Sequence, residues 1–343
     1  MQYRRLGDHG PVVSRVAFGN SLTAGNQLDD SAAVACVHAA LDAGITTFDT
    51  ADVYAEGRAE EVLGRALAAV PRDQVVLCTK VGRGAGGDSG GPGGLRRARI
   101  RACLDASLRR LGTDHVDVYQ AHLYDDATRL EETMAAFAEA VAAGKVRYVG
   151  VSEWAAPELA EAGRLAGEAG VPLVSSQPQY NMLWRVIEDE VIPACVPLGI
   201  GQMVWSPLAG GVLTGKYRPG GELPRDSRAV AARGGDVSLR RWRFLEDRVL
   251  ERVQALQPLA EQAGLTLPQL ALAWVLHRPQ VVSAVIGASA PEQIERNLRA
   301  VDVALDPGLT ARVDEVLGDV VVRDPQLTLS RMLRAGRKRT AAV

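Results

Sequence analysis

Lysine is scarce in this chain. Only Lys80, Lys145, Lys216 and Lys338 occur among 39 basic residues, so arginine is the ordinary surface cation. A lysine here stands where the shape or the titratable proton of an ammonium is wanted, because arginine keeps its charge at any useful pH. Cysteine is equally sparse. Cys36, Cys78, Cys103 and Cys195 lie far apart in apolar stretches without a CxxC pair, which argues against a zinc site and a disulfide framework. All four are expected as small core residues. Excess positive charge is also missing: 39 Lys and Arg against 41 Asp and Glu leave a net charge of -2. That excludes a nucleic acid or an anionic membrane as an expected partner. No apolar run reaches the length of a membrane span, and the opening MQYRRLGDHG carries no signal-peptide core. The expectation is a cytoplasmic protein.

What is present is a regular beat of strand and helix. Eight short apolar runs have strand length: Val16–Gly19, Ile45–Asp49, Val75–Lys80, Val116–Ala121, Val146–Val151, Leu173–Gln177, Ile200–Trp205 and Val281–Gly287. Amphipathic segments alternate with them and stop on Gly44, Gly112, Gly144 and Gly170, the residue type that ends helices in the left-handed conformation. Eight strands alternating with helices suggest a parallel sheet covered by helices, and eight is the number that closes a (β/α)8 TIM barrel. An open doubly wound sheet is the alternative. YRRLG and PVVS predict a β-hairpin ahead of the barrel, and no linker or repeat divides residues 1–343, so a single domain is expected.

Two stretches interrupt the beat, Gly82–Gly94 and Gly210–Phe244, each after a strand, where a barrel carries its active-site loops. Gly82, Gly84 and Gly87 match GxGxxG, but DSGGPGG follows. A dinucleotide fingerprint needs a helix to begin inside the motif, so this one is read as a decoy.

The chemistry-bearing residues stand at strand ends: Asp49 and Tyr54 in FDTADVYAEG, Lys80 in TKVG and His122 in YQAH. A barrel brings such ends together. Reduction of a carbonyl needs a proton at oxygen while hydride arrives at carbon. A phenol is a weak acid at its ordinary pKa near 10. A neighbouring ammonium favours the phenolate, a carboxylate holds that ammonium in place, and a histidine adds a hydrogen bond that orients the carbonyl oxygen. His9, His38, His115 and His277 lack such company and are read as structural.

FDTADVYAEGRAEEVLG resembles the signature of the aldo-keto reductase superfamily. The resemblance continues through RRLG…VSRVAFG, DVYQAH, GKVRYVGVSEW, SQPQYNML, WSPLAGGVLTGKY and GASAPEQIERN. It is nearest to the branch that holds potassium-channel β-subunits and related bacterial reductases. It implies an NADPH-dependent oxidoreductase acting on a small-molecule aldehyde or ketone. Tyr54 is then the general acid, Lys80 and Asp49 its tuners, and His122 the orienting group. It also implies a cofactor site. Gly19 and Asn20 end the first strand; Ser152 and Gln177 meet the nicotinamide carboxamide; Trp205 stacks on its ring. Ser206, Leu208 and Gly210 run along the pyrophosphate, Gly287 ends the last strand, and Lys216, Arg228, Ser289, Gln293 and Asn297 meet the adenosine 2′-phosphate end. A homo-oligomer is a further implied partner.

Three positions depart from the pattern. Glu153 follows Ser152 where the family often has Asn, and an ionised Glu cannot donate a hydrogen bond. Arg296 stands where a Glu often contacts adenine. Asn20 and Ser21 replace a Thr-Trp pair, which leaves room for a bulkier substrate. Two other functions remain open: an NADPH-binding regulatory subunit, and a keto or enoyl reductase tailoring a deoxysugar or polyketide.

Overall fold

The computed structural model describes residues 1–21, 27–83, 94–225, 227–231, 239 and 243–340. Gly84 and Gly87 of the GxGxxG match, and much of the two interrupting loops, lie outside them. Eight parallel strands close into a barrel in the order β10-β3-β4-β5-β6-β7-β8-β9. They are β3 (Val16–Gly19), β4 (Thr47–Asp49), β5 (Val76–Val81), β6 (Val116–Ala121), β7 (Val146–Val151), β8 (Leu173–Ser176), β9 (Gly201–Trp205) and β10 (Val281–Ile286). The (β/α)8 barrel stands, and the open sheet does not. Each predicted strand is present: Val16–Gly19, Val116–Ala121 and Val146–Val151 match at both ends, and the other five are displaced by a residue or two. The largest displacement is at β4, where Gly44 sits at φ 82° and Ile45 donates its N–H to Ala40 O at 2.9 Å, so the preceding helix's closing turn claims the expected first residues.

The helices form where the caps predict. Asp29 accepts from Ala32 N–H at 2.9 Å to open Asp30–Asp42, and Arg97–Leu111 ends on left-handed Gly112. Outward strand residues such as Phe18, Phe48 and Tyr119 pack with helix residues such as Val37, Ile100 and Phe137 in the main core. Inward ones, Ala17, Cys78, Val118, Val174, Met203 and Val285, fill the barrel as a second cluster.

The predicted hairpin, β1 (Tyr3–Arg5) with β2 (Val12–Ser14), plugs the barrel's N-terminal end by adding Leu6 and Val13 to that inner cluster. Arg15 closes the same end. It is 2 % exposed and donates to the carbonyls of Val282 at 2.9 Å and of Val281 and Leu276. With the bottom filled, the C-terminal mouth is where ligands enter. Among the described residues, no helix is long and apolar enough to cross a membrane. Cys103 departs from expectation: Cys36, Cys78 and Cys195 are buried, but Cys103 is half-buried.

Candidate active site

Strand parity aims the site. Side chains alternate across a strand, so the set that points inward at the base continues inward at the mouth. Val118 in the inner cluster therefore leads to Gln120 and His122, and Cys78 leads to Lys80. At the mouth the apolar filling gives way to a charged and amide cluster. Lys80 Nζ donates to Asp49 Oδ2 at 2.6 Å and to Thr50 O at 2.9 Å, and lies 3.4 Å from the Tyr54 hydroxyl. Lys80 is 1 % and Asp49 4 % exposed. Burial alone pushes the Lys80 ammonium down. The Asp49 charge, Tyr54 and their hydrogen bonds outweigh it and hold the group above its ordinary value. Lys80 is a cation at working pH.

Tyr54 reaches this cation because its loop is wound tightly. Ala55, Glu56 and Gly57 follow at φ 48°, 57° and 92°, and the first two are non-glycine residues in the left-handed region. Such residues cost about 1–3 kcal/mol each and persist only where surroundings impose them. The surroundings are visible. Arg110 Nε donates to Glu60 Oε2 at 2.7 Å, and a Cβ on Gly57 would lie 2.8 Å from the Arg110 side chain. His122 stands edge-on to the Tyr54 ring, with centroids 5.6 Å apart. Burial, then the charges of Lys80 and Arg83, drive its pKa well below the ordinary histidine value, so the imidazole is neutral. Its Nδ1 has no hydrogen-bond partner among the described residues.

The remaining expected residues fall around this core. Gln177 Nε2 donates to Asp49 Oδ1 at 2.9 Å, leaving its carbonyl oxygen as an acceptor. Ser152 Oγ donates to Gln177 O at 2.8 Å. Trp205 ends β9, half-buried, with its indole N–H donated to Glu153 Oε1 at 2.8 Å. Ser206, Ala209, Gly210 and Gly211 all have positive φ, and Gly210 N–H donates to Ser206 Oγ at 3.2 Å in a tight turn that includes Leu208. Lys216 folds back over this turn: a Cβ on Gly211 would lie 3.0 Å from its Cε. Arg228 begins the short helix Arg228–Ala231. Ser289 and Gln293 bond reciprocally, N–H to Oε1 at 3.0 Å and Nε2 to Oγ at 2.9 Å, at the start of the helix Pro291–Leu298 that carries buried Asn297. Since β9 pairs with β10, the Trp205 and Ser289 loops leave one side of the mouth.

Gly19 and Gly287 floor the mouth where β3 and β10 meet. A Cβ on Gly19 would lie 2.6 Å from Val285 Cγ1, and one on Gly287 would lie 3.4 Å from Gly19 O. Asn20 turns its amide to Ala59 O at 2.8 Å. Arg296 offers only its carbonyl, to Gln269 Nε2 at 2.8 Å.

Two contributors escaped the sequence reading. Gln120 Nε2 lies 3.4 Å from Asp49 Oδ1, and Gln120 Oε1 accepts from Ser175 Oγ at 3.2 Å, extending the buried polar cluster below Gln177. Asn181 Nδ2 donates to Ser206 O at 3.0 Å and props the turn after Trp205. The polar residue at an inward position of β6 was the only signal for Gln120. Asn181 had none.

Comparison with known proteins agrees with this arrangement. The profile of the Aldo/keto reductase family matches residues 15–317. A protein of Arabidopsis thaliana described as a probable voltage-gated potassium channel subunit beta is 40% identical over 328 residues, which is 92% of this chain and 97% of that protein. One with the same description from Oryza sativa subsp. japonica is 40% identical over 335 residues, 96% and 99% of the two chains. The barrel, the strand-end cluster and these matches lead to one assignment: the chain belongs to the aldo/keto reductase family, a family of oxidoreductases.

Proposed function

We propose that the protein is an NADPH-dependent carbonyl reductase that converts an aldehyde or ketone to an alcohol. The observation that carries this reading is the buried Asp49–Lys80–Tyr54 array with neutral His122 beside it. A protein that only binds nucleotide has no use for a phenol held 3.4 Å from a buried ammonium.

The mouth fits a dinucleotide. Gly19 and Gly287 lie together where β3 and β10 end, and the Ser206–Gly211 turn is wound through positive φ as a close-approaching backbone requires. Ser152 and Gln177 would hold the carboxamide and Trp205 would stack on the ring. Lys216, Arg228, Ser289, Gln293 and Asn297 would take the adenosine 2′-phosphate end. NADPH, when bound there, supplies the hydride. His122, neutral, donates a hydrogen bond to the carbonyl oxygen and orients it. Tyr54 gives its phenolic proton to that oxygen as negative charge develops. Lys80 stabilises the phenolate left behind, and Asp49 keeps Lys80 charged and in place. A small residue after β3, Ser21, favours a bulky carbonyl.

The alternative is an NADPH-binding regulatory subunit, favoured by the description of the plant relatives as channel subunits. Loss of absorbance at 340 nm with a panel of aldehydes and ketones separates the two. The enzyme reading expects turnover in the wild type. In Tyr54→Phe it expects a loss of about 10²–10⁴-fold in kcat with NADPH affinity retained. Wild-type turnover in Tyr54→Phe removes the phenol from this role. NADPH binding without turnover on any carbonyl favours the subunit reading.

A further inference from the structure

Glu153 is a carboxylate built into the wall of the site. It is 6 % exposed and sits at φ 60°, a left-handed conformation seldom adopted by such a residue. No cation among the described residues is bonded to it. Its Oε1 instead accepts the N–H of Gln179 at 2.6 Å and the indole N–H of Trp205 at 2.8 Å. Its own carbonyl accepts from Ser330 N–H at 3.3 Å. Burial raises its pKa, and these donors, with the nearby Arg83 charge, oppose the rise.

These donors come from three parts of the fold. Gln179 lies in the extension of β8 that bridges Trp205. Trp205 ends β9. Leu329 and Ser330 open the helix Leu329–Thr340, whose Arg334 pairs with Glu158 and stacks 4.6 Å over the Tyr124 ring. The Trp205 backbone is held on both sides, N–H to Pro178 O at 3.0 Å and carbonyl to Tyr180 N–H at 3.2 Å. That leaves the side-chain torsions as the ring's freedom. An acceptor 2.8 Å from the indole nitrogen removes it.

We infer that Glu153 is a positioning residue: its carboxylate fixes the Trp205 ring in the plane on which nicotinamide stacks, while its backbone carbonyl ties the start of the C-terminal helix to the same residue. The inference rests on the proposed cofactor site. It gives the departure at this position a use, because both donors meet one oxygen, and a carboxylate oxygen accepts them with more negative charge than an amide oxygen carries.

The test is NADPH titration followed by tryptophan emission and by polarisation of the nucleotide's own fluorescence, in wild type, Glu153→Leu, Glu153→Gln, Trp205→Phe and the Glu153→Leu/Trp205→Phe pair. Glu153→Leu removes the acceptor at similar size and is expected to raise the NADPH Kd about tenfold and shift Trp205 emission. Glu153→Gln keeps an acceptor oxygen without the charge and is expected to fall between wild type and Glu153→Leu. Trp205→Phe keeps a ring without the N–H and is expected to weaken binding about tenfold as well, with no further loss when Glu153→Leu is added. Unchanged affinity in Glu153→Leu overturns the inference. So does a Glu153→Leu loss that persists in full in the Trp205→Phe background, which marks a role unrelated to the ring. If Glu153→Leu does not fold, unchanged affinity in Trp205→Phe overturns it alone. Failure of wild type to bind NADPH is a separate outcome and overturns the cofactor reading itself.

Discussion

Lys80 Nζ and Asp49 Oδ2 stand 2.6 Å apart with both side chains withdrawn from solvent. Removing one partner strands a buried charge, which costs about 3–5 kcal/mol, whereas removing both costs far less. Lys80→Met should therefore be strongly destabilised, and Lys80→Met combined with Asp49→Leu should recover part of the loss. Urea denaturation of the two single variants and the double variant measures this. Strictly additive losses would mean that the two groups are not coupled. Both variants should be inactive, so stability and turnover separate here.

Cofactor choice should follow Lys216 and Arg228. Lys216 folds over the Gly211 turn and Arg228 opens a helix beside it. A 2′-phosphate held by two charge-assisted hydrogen bonds of about 1.5–3 kcal/mol each gives an NADPH preference on the order of 10²–10⁴. The ratio of kcat/KM for NADPH and NADH should fall toward unity in Lys216→Ala/Arg228→Ala. Equal use of both nucleotides by the wild type would refute this assignment of the loop.

Asp52 should make stability depend on pH. Burial first, then the Glu60 charge, raise its pKa to about 6, against about 3.9 in an unfolded chain. Between those values the folded state holds a proton that the unfolded state has released. The contribution of Asp52 is thus fully favourable below pH about 4 and is lost as pH rises through about 6. The loss is on the order of 2–3 kcal/mol. Asp52→Asn should gain on the wild type across that window and run parallel to it above. A stability difference that does not change between pH 4 and 7 would show that Asp52 ionises as freely folded as unfolded.

The barrel was legible because its grammar is local. Gly44, Gly112, Gly144 and Gly170 punctuate helices, and all four adopt positive φ. The Asp49, Tyr54, Lys80 and His122 cluster was legible because each stands at a strand end or in the loop just after one, and the barrel gathers strand ends. What could not be read was pairing across the barrel. Gln120 meets Asp49 across 71 positions and Glu153 meets Trp205 across 52, and no pattern within either segment names the other. Cys103 was expected in the core from its helical spacing. Its thiol instead meets Asp52, a carboxyl from a loop 51 positions earlier, and it sits half-buried. Glu153 looked like a defect in a carboxamide contact, since only the fold shows its oxygen turned onto an indole.

The seam between β10 and β3 sets an order of events for synthesis. Ala284, Val285 and Ile286 pair with Val16, Ala17 and Phe18, so the barrel's first strand waits for its last. Asp49, Tyr54, Lys80 and His122 leave the ribosome early, within the first 122 residues. Until residue 286 follows, β3 presents an unpaired edge, and the glycine floor between Gly19 and Gly287 does not exist. A nascent chain thus carries the proposed catalytic groups long before it can hold a nucleotide, and it needs shielding at that edge until β10 has been made.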